Sequence, residues 1–158
     1  MNAASKNKQS GFTIIEVVLV LAIAGLIFLM VFVALPTLQR NQRDTQRKQD
    51  LSRVITAIAS YTQNTKGQLP TNWNTFKSSY LEVAGDTFAD PTFGSYNFNV
   101  RTTADLPSSG ASTIDKDGSI YVYVGQKCGN DQDLTPGGAR SVAFMMKLEG
   151  GGLACQGR

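Results

Sequence analysis

Residues Phe12 to Pro36 read FTIIEVVLVLAIAGLIFLMVFVALP, and this stretch decides the fold. From Phe12 to Leu35, 21 of 24 residues are apolar, with Thr13, Glu16 and Gly25 the exceptions. Val17 to Leu35 is a run of 19 residues without a charge. As a helix that run is about 28 Å long, against a hydrocarbon core of about 30 Å. A buried helix of a soluble domain shows one apolar stripe, whereas this one is apolar all round in a chain too small to enclose it. The segment is therefore expected to cross a membrane. Its length also argues against a secretory signal peptide, whose apolar region spans about 7 to 15 residues and ends at a small-x-small site.

The averages conceal this segment. The 158 residues are 42% hydrophobic with a mean hydropathy of -0.13, the profile of an ordinary soluble domain. Yet 21 of the 66 apolar residues lie between Phe12 and Leu35, leaving 45 among the other 134. The chain has no histidine, which removes Ser-His-Asp and Cys-His nucleophile sites, imidazole acid-base chemistry and histidine-containing zinc sites. A net charge of +3 from 15 basic and 12 acidic residues is too small to argue for nucleic acid. Two cysteines, Cys128 and Cys155, allow one intrachain pair and cannot build an all-cysteine zinc site.

Glu16 is the anomaly of the apolar run, since an ionisable group there is costly unless it is paired. Its surroundings, Gly11-Phe12-Thr13-Ile14-Ile15-Glu16 after a short leader carrying Lys6 and Lys8, resemble the processing site of type IV prepilins. The similarity covers roughly Gly11 to Pro36. It implies cleavage between Gly11 and Phe12 by a membrane-embedded prepilin peptidase, followed by N-methylation of Phe12. Cleavage would free an ammonium at Phe12, one helical turn from Glu16. The resemblance further implies that Glu16 meets the amino terminus of a neighbouring subunit. A desolvated carboxylate would penalise each wrong stagger of the helices, so the pair would set axial register. Gly25 falls where the family has its usual glycine. The family's helix-kinking proline stands about a turn earlier than Pro36, and bending near Pro36 is expected because proline removes a backbone hydrogen bond.

Gln39 to Asp50 contains only polar residues, among them Arg40, Arg43, Arg47 and Lys48 against Asp44 and Asp50. With no apolar face and no Gly or Pro, it reads as an exposed or subunit-bridging helix. Five basic residues from Arg40 to Arg53 outweigh Lys6 and Lys8, so charge counting alone would turn this side inward. The processing motif requires the opposite, with the leader in the cytoplasm, and an oxidised cysteine pair would agree. Leu51, Val54, Ile55 and Ile58 restore a helical apolar stripe, and Gly67 with Pro70 ends the helix near Lys66. Trp73, Phe76 and Tyr80 recur at helical spacing and are assigned to the core, although a glycan-binding surface would use the same residue types.

Tyr96 to Thr102, Ser119 to Gly125 and Ser141 to Leu148 read as strands. Asp115-Lys116-Asp117-Gly118 reads as a turn; a calcium loop would need further oxygens, with Asp131 and Asp133 the nearest supply. Cys128 and Cys155 bracket a region that resembles the disulfide-bounded region of many type IV pilins. The Gly150-Gly151-Gly152 run reads as a flexible path to the second cysteine.

The expected fold is α+β, a long N-terminal transmembrane helix packed against a small antiparallel sheet. Residues 1–11 form the leader, 12–36 the membrane or filament-core part from Val17 to Leu35, 37–66 the amphipathic part and 67–158 the head. By resemblance the chain is a pilus subunit, with copies of itself, the membrane, a prepilin peptidase, a platform protein and an assembly ATPase as partners. No cofactor, metal or catalytic residue is expected. The rival readings are a type II secretion pseudopilin, a minor pilin whose head binds DNA or a surface, and a membrane-anchored enzyme, which would need a non-histidine site such as a Ser-Lys pair.

Overall fold

A computed structural model describes residues 11–101, 114, 117–129 and 133–158. Lys6, Lys8, Thr102, Asp115, Lys116 and Asp131 lie outside the described residues. Helix α1 spans Ile14–Asn64 and includes Pro36. It ends where Lys66 and Gly67 take positive φ of 58° and 85°. There the Gly67 N–H donates to the Thr62 carbonyl at 2.7 Å, a closure that satisfies one of the last free carbonyls.

The chain divides into two compact units after Leu38. In the first, the large apolar side chains are exposed among the described residues: Phe12 to 90%, Ile14 to 84% and Phe32 to 73%. Full burial of one such side chain is worth roughly 1.5 to 3 kcal/mol, so this surface calls for lipid or other protein around it. Over this stretch α1 is long and apolar enough to cross a membrane.

The second unit begins at Gln39. Here α1 turns Leu51, Val54 and Ile58 inward, each fully buried, as the i, i+3, i+7 spacing requires. A short helix α2, Trp73–Tyr80, is capped by Asn72, whose side chain accepts from the N–H groups of Asn74 and Thr75. The strands are β1 (Ala89–Asp90), β2 (Gly94–Ser95), β3 (Asn97–Arg101), β4 (Ser119–Val124), β5 (Gln126–Cys128), β6 (Leu134–Pro136), β7 (Val142–Lys147) and β8 (Leu153–Gly157). The main sheet has the order β3-β4-β7-β8, and β1-β2 and β5-β6 are small hairpins.

Alternation along β4 and β7 builds a core on each face of the main sheet. Ile120, Val122, Phe144 and Met146 join Leu51, Val54, Ile58, Trp73 and Phe76 in the larger cluster. Tyr121, Tyr123, Ala143 and Met145 join Ile114 and Leu153 in the smaller. Burial on both faces explains why SIYVYV and VAFMMK read as nearly continuous apolar runs. Trp73 centres the aromatic packing, 5.6 Å from Phe76 and 5.7 Å from both Phe98 and Phe144.

The α+β class stands, with two corrections. The sheet is mixed, because β3 pairs with β4 in parallel, Asn97 opposite Ser119 through Arg101 opposite Tyr123. A parallel pair needs a connection of a dozen or more residues, and the chain from Arg101 to Ser119 is long enough to supply it. The glycine run is also no slack tether: it turns the β7-β8 hairpin, with Gly151 and Gly152 at φ of 97° and 80°. Only glycine takes such angles without steric cost.

Candidate functional site

The processing motif sits at the start of α1. Gly11, Phe12 and Thr13 are non-helical, and Ile14 is the first helical residue. That makes Thr13 the cap and Glu16 the third helical residue, the T-x-x-E spacing of a capping box. The bonds follow. The Thr13 N–H and hydroxyl each donate to Glu16 Oε2 at 2.8 Å, and the Glu16 N–H donates to Thr13 Oγ1 at 3.4 Å. The Gly11–Phe12 peptide bond therefore lies in non-helical, exposed backbone just ahead of the helix. Apart from chain neighbours and the helix's own backbone, no atom of the described residues lies within 4 Å of where a Cβ would stand at Gly11 or Gly25. Val17 and Leu35, the ends of the charge-free run, are both exposed along α1.

A second polar constellation lies in the other unit, and it corrects the reading of Gln39 to Asp50 as an exposed or bridging helix. Asp44, Arg47 and Asp50 are buried, Arg47 to 1% exposure. The Arg47 guanidinium grips Asp90 in two parallel bonds of 2.6 and 2.9 Å, and also donates to Asp44 at 3.0 Å and Glu149 at 2.8 Å. Arg43 donates to both carboxylate oxygens of Glu149, the shortest bond being 2.6 Å. Asp44 in turn accepts from the N–H groups of Glu149 and Gly150, both at 2.8 Å. Asp90 accepts from those of Thr92 and Phe93. The cluster thus clasps two hairpins to α1: β1-β2 through Asp90 and Thr92, and β7-β8 through Glu149 and Gly150.

Charge states follow from these contacts. The bond to Asp90 raises the Arg47 pKa despite burial, so the guanidinium stays charged. Burial pushes the Asp90 carboxyl up, but Arg47 and the two N–H groups outweigh it and the net shift is downward. Arg43 above all, with Arg47 and Thr92, holds Glu149 down at about 2. Asp50 is raised by burial, although it accepts from the Tyr96 hydroxyl at 3.0 Å, and burial raises Tyr96 as well. The carboxylates of the clasp are occupied by arginines and N–H groups, an arrangement that fixes hairpins rather than one that offers a proton acceptor to a substrate.

Cys128 on β5 and Cys155 on β8 form a disulfide with a Cα separation of 5.8 Å. It ties the β5-β6 hairpin beside the smaller core. Asp117, part of the calcium alternative, pairs with Lys147 at 3.1 Å. Among the described residues no cluster of three or more His, Cys, Asp or Glu is arranged to hold a metal.

Two features went unread in the sequence. Thr13 as partner of Glu16 was accessible from the T-x-x-E spacing alone. The clasp was not, because its partners lie 43 and 102 residues from Arg47.

Comparison with known proteins gives one match. Residues 6–32 fit the family described as the prokaryotic N-terminal methylation motif. No curated protein and no solved structure matches the chain. The residues that place a glycine-aromatic bond just ahead of a capped apolar helix are thus a type IV prepilin-like signal, carried by this chain at residues 6–32.

Proposed function

We propose that the chain is a structural subunit of a type IV pilus, held in the membrane as a prepilin with its C-terminus outside and assembled through α1 into a surface filament. One observation carries the reading: the methylation motif leads directly into a helix whose large apolar side chains are exposed among the described residues. Such a surface suits lipid before assembly and neighbouring helices after it. A prepilin peptidase cuts between Gly11 and Phe12 and the Phe12 amine is methylated. The platform protein and assembly ATPase supply the work, and other copies of the chain are the main partner. The head serves adhesion, motility or DNA uptake, and the chain is not itself an enzyme.

In this reading Glu16 is the register residue. Its carboxylate meets the Phe12 ammonium of a neighbouring copy, and a stagger that leaves it unpaired is penalised. The test is the yield of sheared filaments from cells carrying Glu16→Gln, which keeps the size and removes the charge. Filaments are expected to be lost while the processed chain remains in the membrane. Parental yield would sink the assembly role.

A further inference from the structure

We propose that the cleft between the last turns of α1 and the turn ahead of β7 is a phosphate-binding site, with Arg140 and Arg158 as its clamp. The cleft measures about 220 Å³ and is lined by Ile58, Thr62, Gln63, Gly67, Arg140 and Arg158. It lies within the second unit, so the site does not depend on the assembly reading.

Both guanidiniums are held at the cleft without being used up. The Arg158 backbone exchanges bonds of 2.9 and 3.0 Å with Val142, and its side chain crosses to α1 to donate to the Thr62 hydroxyl at 2.9 Å. Arg140 lies across Gly67, where a Cβ would stand 3.2 Å from Arg140 Cζ and 3.3 Å from both Nε and Nη1. Such nearly equal distances turn the flat face of the guanidinium to the glycine and leave its N–H edges free. Among the described residues, Arg158 commits one N–H donor and Arg140 none, and no acidic side chain lines the cleft. Capping of α1 does not account for the pair, because the Gly67 N–H already occupies the Thr62 carbonyl and Arg158 takes the hydroxyl instead.

Two cations lining one small cleft repel each other unless an anion joins them. Guanidinium edges grip two oxygens at a time, the geometry of a phosphate group, and the Gln63 amide and Thr62 hydroxyl are further polar partners. The cleft is smaller than the roughly 300 to 1,000 Å³ of a site that encloses a whole ligand, so it suits one group. Exposed lysines extend the charge beyond it. Lys66 adjoins Gly67, and Lys127 packs on the turn that carries Arg140, its Cγ 3.1 Å from where a Cβ would stand at Gly137. That extension favours a phosphodiester chain over free phosphate as the source. No aromatic side chain lines the cleft to stack a base, so binding is expected to be independent of sequence.

The test uses the full chain in a non-ionic detergent, with ¹⁵N-labelled arginines followed by NMR at constant ionic strength. Inorganic phosphate is one probe and a short oligothymidine the other. The Nε–H signals of Arg140 and Arg158 are expected to shift with both, and the oligonucleotide is expected to half-saturate them at an at least about tenfold lower concentration. Equal half-saturation would assign the same site to free phosphate. Arg140→Gln and Arg158→Gln are each expected to weaken oligonucleotide binding about tenfold or more. Arg40→Gln removes the same charge from an exposed position outside the cleft and is expected to change it less than about twofold. Trp73 emission checks that each variant is folded; Arg140→Lys, which keeps the charge and loses the fork, carries the test should Arg140→Gln unfold, and is expected to bind more weakly than the parent. The proposal is overturned if neither arginine signal moves with phosphate, if a folded variant of Arg140 or Arg158 binds like the parent, or if Arg40→Gln weakens binding as much as they do.

Discussion

Arg47 commits all three guanidinium nitrogens to carboxylates while only 1% exposed. Arg47→Ala would leave Asp90 and Asp44 buried without their charge partner, and breaking such a pair costs about 3 to 5 kcal/mol. Arg47→Lys is expected to recover little, since an ammonium cannot reproduce the two parallel bonds to Asp90. Urea unfolding of the full chain in detergent would read this. The chain has one tryptophan, and Trp73 is buried in the head, so its fluorescence reports on that unit. Unchanged midpoints would remove the clasp from the list of stabilising features. The clasp also fixes a pH dependence. Glu149 falls from 4.5 to about 2 on folding. A carboxyl depressed by folding contributes stability that is fully present above its unfolded pKa and lost as pH falls through the folded value. Asp90 is shifted in the same direction and Asp50 in the opposite one. The head is therefore expected to lose stability between about pH 4.5 and 2, and Glu149→Gln is expected to flatten that limb in an acid titration followed by Trp73.

At the level of elements, the disulfide holds the β5-β6 hairpin, whose Cys128 and Leu134 pack on the smaller core with Tyr121 and Tyr123. Replacing both cysteines by serine is expected to cost about 2 to 4 kcal/mol. Hydrogen exchange should speed up first in β5 and β6, and uniform loss of protection across the sheet would contradict this placement. What could be read from sequence follows how local each element's cause is. The apolar run, the Leu51-Val54-Ile58 stripe, the Trp73-Phe76-Tyr80 spacing and the β-rich runs of β4 and β7 are all self-contained patterns. Strand β8, LACQG, was missed because it is short, half polar and preceded by glycines that mimic a tether. The parallel placement of β3 depends on the 17-residue path between Arg101 and Ser119, not on any residue within the strand. The polar run Gln39 to Asp50 looked solvated because a buried ion cluster and an exposed charged face have the same composition; only the distant Asp90 and Glu149 distinguish them.

At the scale of the molecule, the two units draw on different sources of stability. Every buried apolar residue among those described lies between Leu51 and Ala154, so the head owns the whole core, while the segment up to Leu38 contributes none. The clasp likewise begins at Arg43, within the second unit. The motif at residues 6–32 belongs wholly to the first. Folding of the head and assembly of the helix should therefore be separable. A chain reduced to Gln39–Arg158 is expected to fold in water without detergent, with Trp73 in an apolar setting and the same acid-sensitive limb as the full chain. It is expected to neither sediment with liposomes nor enter filaments, because the uncovered apolar surface and Glu16 are gone. Fluorescence and sedimentation with vesicles would decide both points. A fragment that aggregates or shows a water-exposed Trp73 would mean that the head needs the apolar helix to fold; one that still binds vesicles would place a membrane contact on the head itself.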